Sequence, residues 1–235
     1  MTENIIDIKS LKKIYKVGKE EIHAVDGIDL SIKKGEVLSI CGTSGSGKST
    51  LLNLIAGLEK PTSGDIIFNN KNISKMSEKQ KTVFRRDHIG FIFQSYNLIH
   101  TQTALENVSM PLMFKKIRKK ERMKMSKQVL QKVELGDRYQ HKPNQMSGGQ
   151  QQRVGIARAL VSNPEIVFAD EPTGNLDSKT SDEVMSLMVK SIKENNQTLI
   201  VVTHDETIAK YADRTLHIKD GKIDKIVHKL TEDRQ

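Results

Sequence analysis

Residues 42–50 read Gly-Thr-Ser-Gly-Ser-Gly-Lys-Ser-Thr, and no other segment of the 235-residue chain restricts its fold as tightly. An apolar run, Val37 to Cys41, leads into this loop, and an apolar helix expected over Ser49 to Leu58 leads out. Three glycines within six residues let backbone N–H groups curl around an anion without a Cβ in the way. The helix that follows offers its free amides and the positive end of its dipole to the same anion. The spacing G-x-x-x-x-G-K-[ST] in a strand–loop–helix setting therefore implies a cradle for nucleotide phosphates. Gly42, Thr43, Ser44, Gly45, Ser46, Gly47, Lys48, Ser49 and Thr50 form it, with Lys48 toward the β- and γ-phosphates and the Ser49 hydroxyl toward Mg²⁺.

A second segment supports this chemistry. Ile166-Val167-Phe168-Ala169 is an apolar strand that ends in two carboxylates, Asp170 and Glu171, before Pro172. In enzymes with such a phosphate loop the first carboxylate holds the Mg²⁺ shell. That assigns the metal contact to Asp170 and leaves Glu171 placed to polarise an attacking water.

The rest of the chain alternates strands with helices, the pattern of an α/β fold. Short strands are expected at Ile5 to Ile8, Ile22 to Val25, Ile28 to Ile32 and Asp65 to Phe68. The stretch from about 95 to 160 is rich in Lys, Met, Gln and Glu, punctuated by Pro111 and Pro143, and reads as a helical insertion. After it come a helix near Thr180 to Glu194, with Val184, Leu187, Met188 and Ile192 on one face, and a continuous apolar strand at Leu199 to Val202. Asp220-Gly221 between Leu216–Lys219 and Lys222–Val227 signals a hairpin. Cys41 is expected to be a small core residue.

Charge and hydrophobicity exclude several classes. No apolar run approaches the ~18–20 residues of a membrane-spanning helix, the N-terminus has no secretory pattern, and a single cysteine rules out an internal disulfide framework. These features lead to the expectation of a cytoplasmic protein. The 38 basic and 29 acidic residues leave a net charge of +9. Eight basic residues and one acid between Lys115 and Lys127 carry +7 of it. That segment reads either as a solvated helix face or as a contact for anionic lipid headgroups or an acidic partner. Nucleic acid is not expected, because no aromatic is interleaved in the run to stack on bases.

Met146-Ser147-Gly148-Gly149-Gln150 supplies a second helix start built for an anion, with Ser147 as N-cap of GGQQQRVGIARAL. One chain has no need of two such cradles for one nucleotide unless the second serves a nucleotide held by another copy. With the two motifs already described, the whole chain resembles the ATP-binding subunit of ABC transporters, although Met146 stands where that family's signature carries Leu. The segments 85–94, 103–108, 142–145 and 170–177 resemble the branch serving lipoprotein release, macrolide and antimicrobial-peptide export, and division-type permeases.

The resemblance carries further expectations. It implies a P-loop (RecA-like) α/β core with an N-terminal antiparallel β subdomain and a helical insertion subdomain. These form one domain over 1–235, with 1–94 and 160–235 as the antiparallel β plus RecA-like core and 95–159 as the helical signature subdomain. Tyr15 looks like the aromatic that stacks on adenine, Gln94 like the glutamine that contacts Mg²⁺, Asp177 like a residue at a dimer interface, and His204 like the histidine that holds the γ-phosphate. Catalysis would fall to Glu171, His204 and Lys48, nucleotide contact in the partner copy to Ser147, Gly148, Gly149 and Gln150, and metal contact to Ser49, Gln94 and Asp170. The expected ligands are ATP and Mg²⁺. The expected partners are a second copy and a membrane permease on a separate chain, docked in a groove beside Gln94 lined by Ser95 to Met113, which would hold the chain at the inner membrane face. A division-type complex that signals without transport has the same ATPase chemistry, and a soluble relative acting on nucleic acid or ribosomes is the remoter alternative.

Overall fold

The computed structural model describes residues 3–229. In chain order the elements begin with β1 (Asn4–Val17), β2 (Glu20–Lys33), β3 (Val37–Cys41), α1 (Lys48–Ile55), β4 (Ser63–Phe68) and β5 (Lys71–Asn72). Next come α2 (Glu78–His88), β6 (Ile89–Phe93), α3 (Ala104–Phe114), α4 (Lys119–Lys132) and α5 (Gly148–Leu160). The last are β7 (Ile166–Asp170), α6 (Ser178–Glu194), β8 (Thr198–Thr203), β9 (Arg214–Lys219) and β10 (Lys222–His228). The chain forms two compact units, residues 1–81 with 200–235 and residues 82–199, whose boundaries fall inside α2 and β8.

The first unit carries an antiparallel sheet in the order β2-β1-β4-β5. The three short strands expected before residue 33 are in fact two strands of 14 residues each. Local periodicity hides this because β1 changes face midway. Ile8 and Leu11 are both buried although three residues apart, which a straight strand of period two forbids. The register breaks between them, where Ser10 takes a left-handed φ of 45° and its N–H is held by Asp29 Oδ1 at 2.8 Å. Beyond that bulge the strand runs on to Val17. In β2 the alternation is plain only from Ile28 on, with Ile28, Leu30 and Ile32 buried and Asp29, Ser31 and Lys33 exposed; before it a bulge at Gly27, φ 76°, breaks the period between buried Val25 and Ile28.

β3 is buried throughout, Cys41 included, and pairs in parallel with β9, which in turn pairs antiparallel with β10. Buried Arg214 Nε lies 2.7 Å from Glu36 Oε1, an ion pair that joins the start of β9 to the residue before β3. α1 ends three residues earlier than the sequence suggests. Gly57 takes φ 65° and the N–H of Leu58 bonds back to Asn53 O at 2.9 Å, a left-handed C-terminal cap.

The second unit contains the helical stretch and the parallel pair β6–β7, in which Phe91 faces Phe168 and Phe93 faces Asp170. Phe91 stacks between Phe93 and Phe168 at centroid distances of 5.6 and 5.5 Å. α2 went unmarked in the sequence because its residues, EKQKTVFRRDH, are mostly polar and little of the helix is apolar enough to show a stripe. α3 opens on a capping box between Thr103 and Glu106 and runs through Pro111, so this proline sits inside a helix rather than between helices. Asn107, wholly buried, accepts from Ile99 N at 2.8 Å and donates to Ile99 O, Gln102 O and Thr103 O, pinning the loop that precedes α3. In α6 the buried stripe is Val184, Met185, Met188 and Ile192, with Leu187 only half-buried.

Two outcomes follow from this packing. Phe168→Ala, at a side chain 1 % exposed between two sheet partners, lowers unfolding stability by about 3–5 kcal/mol in a urea titration. At the start of α3, the backbone N–H and then the hydroxyl of Thr103 hold the Glu106 carboxyl below its ordinary value. A depressed folded-state pKa contributes stability that is present above the unfolded value of about 4.3 and lost as pH falls through the folded one. Thr103→Ala therefore costs about 1 kcal/mol near neutral pH, and the gap from wild type narrows below pH ~4.

Candidate active site

The phosphate loop lies in the first unit. Gly47 takes φ 102°, and a Cβ there would stand 2.1 Å from the carbonyl oxygen of Ala24, so only glycine fits both the turn and the approach. No side chain caps α1, which leaves its first amides open to an anion. The loop is braced from behind: the N–H of Gly221, in the β9–β10 turn, bonds to Ser46 O at 3.0 Å, and Gly221 O accepts from Asp26 N at 2.9 Å. Ser46 Oγ is buried without a protein hydrogen-bond partner. Lys48 is buried, and its Nζ donates to Thr43 O at 2.8 Å, which holds the ammonium across the loop. Ser49 is exposed at the first turn of the helix.

Tyr15, on β1, is tied down at its hydroxyl, 2.8 Å from both oxygens of Glu59. Lys13 Nζ lies 2.9 Å from the same carboxylate and 5.0 Å from the tyrosine ring centre. Burial first, and the Glu59 hydrogen bond second, raise the Tyr15 pKa, while a hydrogen bond from Thr50 opposes them. Thr50 closes the phosphate loop, so this contact places the ring at the loop's end. His204 is the exposed residue immediately after β8.

The second unit gathers the other group. β7 is buried up to Ala169 and delivers Asp170 half-buried at its end. Glu171 takes a left-handed φ of 45°, a conformation that costs a non-glycine residue on the order of 1–3 kcal/mol. Buried Pro172 and Thr173 follow, and Gly174 N bonds back to Glu171 O at 3.1 Å. Gln94 follows Phe93, the residue that faces Asp170 across the parallel pair, and Asn175 Nδ2 donates to Gln94 O at 3.0 Å. Gln94, Asp170 and Glu171 thus share the carboxyl ends of two adjacent parallel strands, where open α/β sheets bind ligands.

Ser147 is the N-cap of α5, its hydroxyl accepting from Gln150 N at 3.3 Å while Gln150 Oε1 accepts from Ser147 N at 3.0 Å. Gly149 packs so tightly that a Cβ would fall 2.6 Å from Thr180 Cγ2. Thr180 is itself fixed by Asp177, which caps α6 through the Thr180 N–H at 3.0 Å and its hydroxyl at 2.6 Å. Those two bonds, the side-chain one first, depress the Asp177 pKa. The Ser147–Gln150 turn and Asp177 therefore meet through Thr180. Sequence reasoning passed over Thr180 and also Glu59, since both act only through folding partners. It missed Arg158 as well, whose guanidinium donates to Tyr96 O at 2.8 Å and Asn97 O at 2.5 Å, holding two residues of left-handed φ just after Gln94.

Beside β6 the second unit opens a mostly apolar groove of about 620 Å³, lined among others by Phe91, Phe93, Met110, Pro111, Phe114 and Arg158. The expected lining, Ser95 to Met113, holds only at Met110 and Pro111. Half of the wall comes from β6 and α5, elements whose side chains meet only in three dimensions.

The family model for ABC transporters matches residues 25–174. An ABC transporter ATP-binding protein of Methanocaldococcus jannaschii, MJ0796, is 48 % identical over 225 residues, covering 94 % of this chain and 96 % of its own length. The macrolide export ATP-binding/permease protein MacB of Aggregatibacter actinomycetemcomitans is 46 % identical over 220 residues, and the match spans 94 % of this chain but only 34 % of MacB. In three dimensions the chain is similar to MJ0796 solved as a dimer in a post-hydrolysis state bound to ADP and Pi, with a TM-score of 0.87, 46 % identity and coverage of 95 % of this chain and 98 % of that one. The chain belongs to the ABC transporter family, as an ATP-hydrolysing ATP-binding cassette.

Proposed function

We propose that this cassette works as two copies that close around two ATP molecules and drive a membrane permease lying outside these 235 residues, in the direction of export. The observation that carries the reading is the presence of two anion-receiving helix starts in one chain, Gly47–Lys48 and Ser147–Gly149. Each ATP is then gripped by the phosphate loop of one copy and by Ser147, Gly148, Gly149 and Gln150 of the other. The dimer of MJ0796 with ADP and Pi supports the pairing, and the likeness to MacB supports export. Among the described residues no helix is long and apolar enough to cross a membrane. In this reading the permease holds the cassette at the cytoplasmic face, and the apolar groove beside β6 receives its docking element.

Tyr15 carries the adenine ring, and the loop from Gly42 to Thr50 wraps the phosphates. Lys48, withdrawn from Thr43 O, neutralises charge on the β- and γ-phosphates. Glu171, held in its strained conformation, accepts the proton of a water whose oxygen attacks the γ-phosphorus, and the bond to the bridging oxygen breaks to release ADP. His204 holds the γ-phosphate, and Asp177 stands at the interface with the other copy. The metal donors in this reading, Ser49, Gln94 and Asp170, are all oxygen ligands of the kind Mg²⁺ selects. No group of three or more His, Cys, Asp or Glu suited to a metal occurs among the described residues. When bound, Mg²⁺ supplies charge neutralisation at the β- and γ-oxygens.

Glu171→Gln keeps ATP affinity within about two-fold while steady-state phosphate release falls by on the order of 10²–10⁴; turnover near the wild-type rate would remove Glu171 as the base. Lys48→Ala, measured by calorimetric titration, loses ATP binding. Affinity purification of tagged protein from gently solubilised membranes tests the coupling. A polytopic membrane protein at fixed stoichiometry is the expected companion, and ribosomes, nucleic acid or nothing at all would contradict it.

A further inference from the structure

The strongest charge feature of the chain takes no part in the nucleotide chemistry. From Lys115 to Lys127 the net charge is +7, and the structure shows where it points. Two of the eight cations are used internally. Lys115 Nζ donates to Ser162 O at 3.0 Å, and Arg122 donates to Ile117 O at 3.3 Å. Lys127 leans over the Tyr139 ring at 5.6 Å. The other five, Lys116, Arg118, Lys119, Lys120 and Lys124, are exposed and make no ion pair within 4 Å with any of the described residues. The corner is fixed in shape, because α3 ends at Phe114, Lys116 takes a left-handed φ of 60°, and α4 starts three residues later. Immediately before the corner, Met113 and Phe114 are 47 % and 58 % exposed. On α4, Lys120, Lys124 and Lys127 repeat at i, i+4 and i+7, a basic stripe beside the buried Ser126 and Leu130.

These five exposed cations repel one another; among the described residues, the Glu106 carboxylate, which Lys119 helps to keep charged, and Glu121 within the segment offset only part of that charge. A free basic stripe with an aromatic and a methionine at its edge matches a surface that offers dispersed negative charge over an apolar layer. We infer that the α3–α4 corner rests on the anionic headgroups of the bilayer, with Lys116, Arg118, Lys119, Lys120 and Lys124 in the headgroup layer and Met113 at its boundary. The orientation rests on the proposed function: Phe114 lines the groove assigned to the permease, so a cassette docked there turns this corner toward the membrane. The charge itself is independent of that reading. Nucleic acid fits less well, since the stripe carries no ring between its cations on which bases stack.

Co-sedimentation of the full chain with vesicles tests the inference without any permease. Binding is expected to vesicles of phosphatidylcholine containing phosphatidylglycerol, and not to phosphatidylcholine alone. It should fall as added salt shortens the screening length from about 8 Å at physiological strength toward 3 Å at 1 M. Each lysine near an anionic surface multiplies partitioning about five-fold, so Lys119→Gln/Lys120→Gln/Lys124→Gln weakens binding on the order of a hundred-fold while leaving ATPase activity unchanged. Equal binding to both vesicle types, wild-type binding by the triple variant, or displacement from vesicles by an equimolar DNA duplex would overturn the inference. Co-purification of a permease together with failed vesicle binding would sink this assignment alone, whereas vesicle binding with no permease partner would sink the transport reading and leave the corner standing.

Discussion

The phosphate cradle depends on one close approach, that of Gly47 to the carbonyl of Ala24. It brings the β2 backbone against the start of α1 so closely that no side chain fits between. The left-handed turn it permits leaves α1 without a cap, and an uncapped helix start is what an anion needs. Lys48 is buried in consequence and finds its acceptor in the loop itself, at Thr43 O. The β9–β10 turn closes over the same place through Gly221. Elements far apart in sequence thus hold one loop in a single shape, with the first amides of α1 open to an anion.

The second unit uses a similar economy. Strained Glu171 and Asp177, the N-cap of α6, lie six residues apart, and the turn between them is held by short-range backbone bonds and by Asn175 gripping Gln94 O. Thr180 links that turn to the start of α5. Gln94, the turn after Glu171 and the start of α5 are thus joined by contacts within one compact unit. Arg158 extends this set to the groove, holding the backbone after Gln94 while its side chain forms part of the groove wall.

Much of this could be read from the sequence where the signal is local. The phosphate loop, the carboxylate pair after Ala169 and the all-buried strands β3 and β8 declare themselves by spacing and by unbroken apolar runs. The Asp220-Gly221 hairpin does so by turn chemistry. The length of β1 was not legible, because the Ser10 bulge flips the period that marks a strand. α2 was hidden by its polar composition. Glu59 beneath Tyr15, Thr180 against Gly149 and the β6 wall of the groove owe their roles to residues tens of positions away, and no window along the chain contains both partners.

The central claim is that one chain holds two halves of two different sites, so that a complete site needs two copies. Light scattering on Glu171→Gln protein with saturating Mg-ATP measures this most directly. The account predicts a particle of twice the chain mass with ATP and of single chain mass with ADP. A chain that binds ATP stoichiometrically and stays at single mass would contradict it.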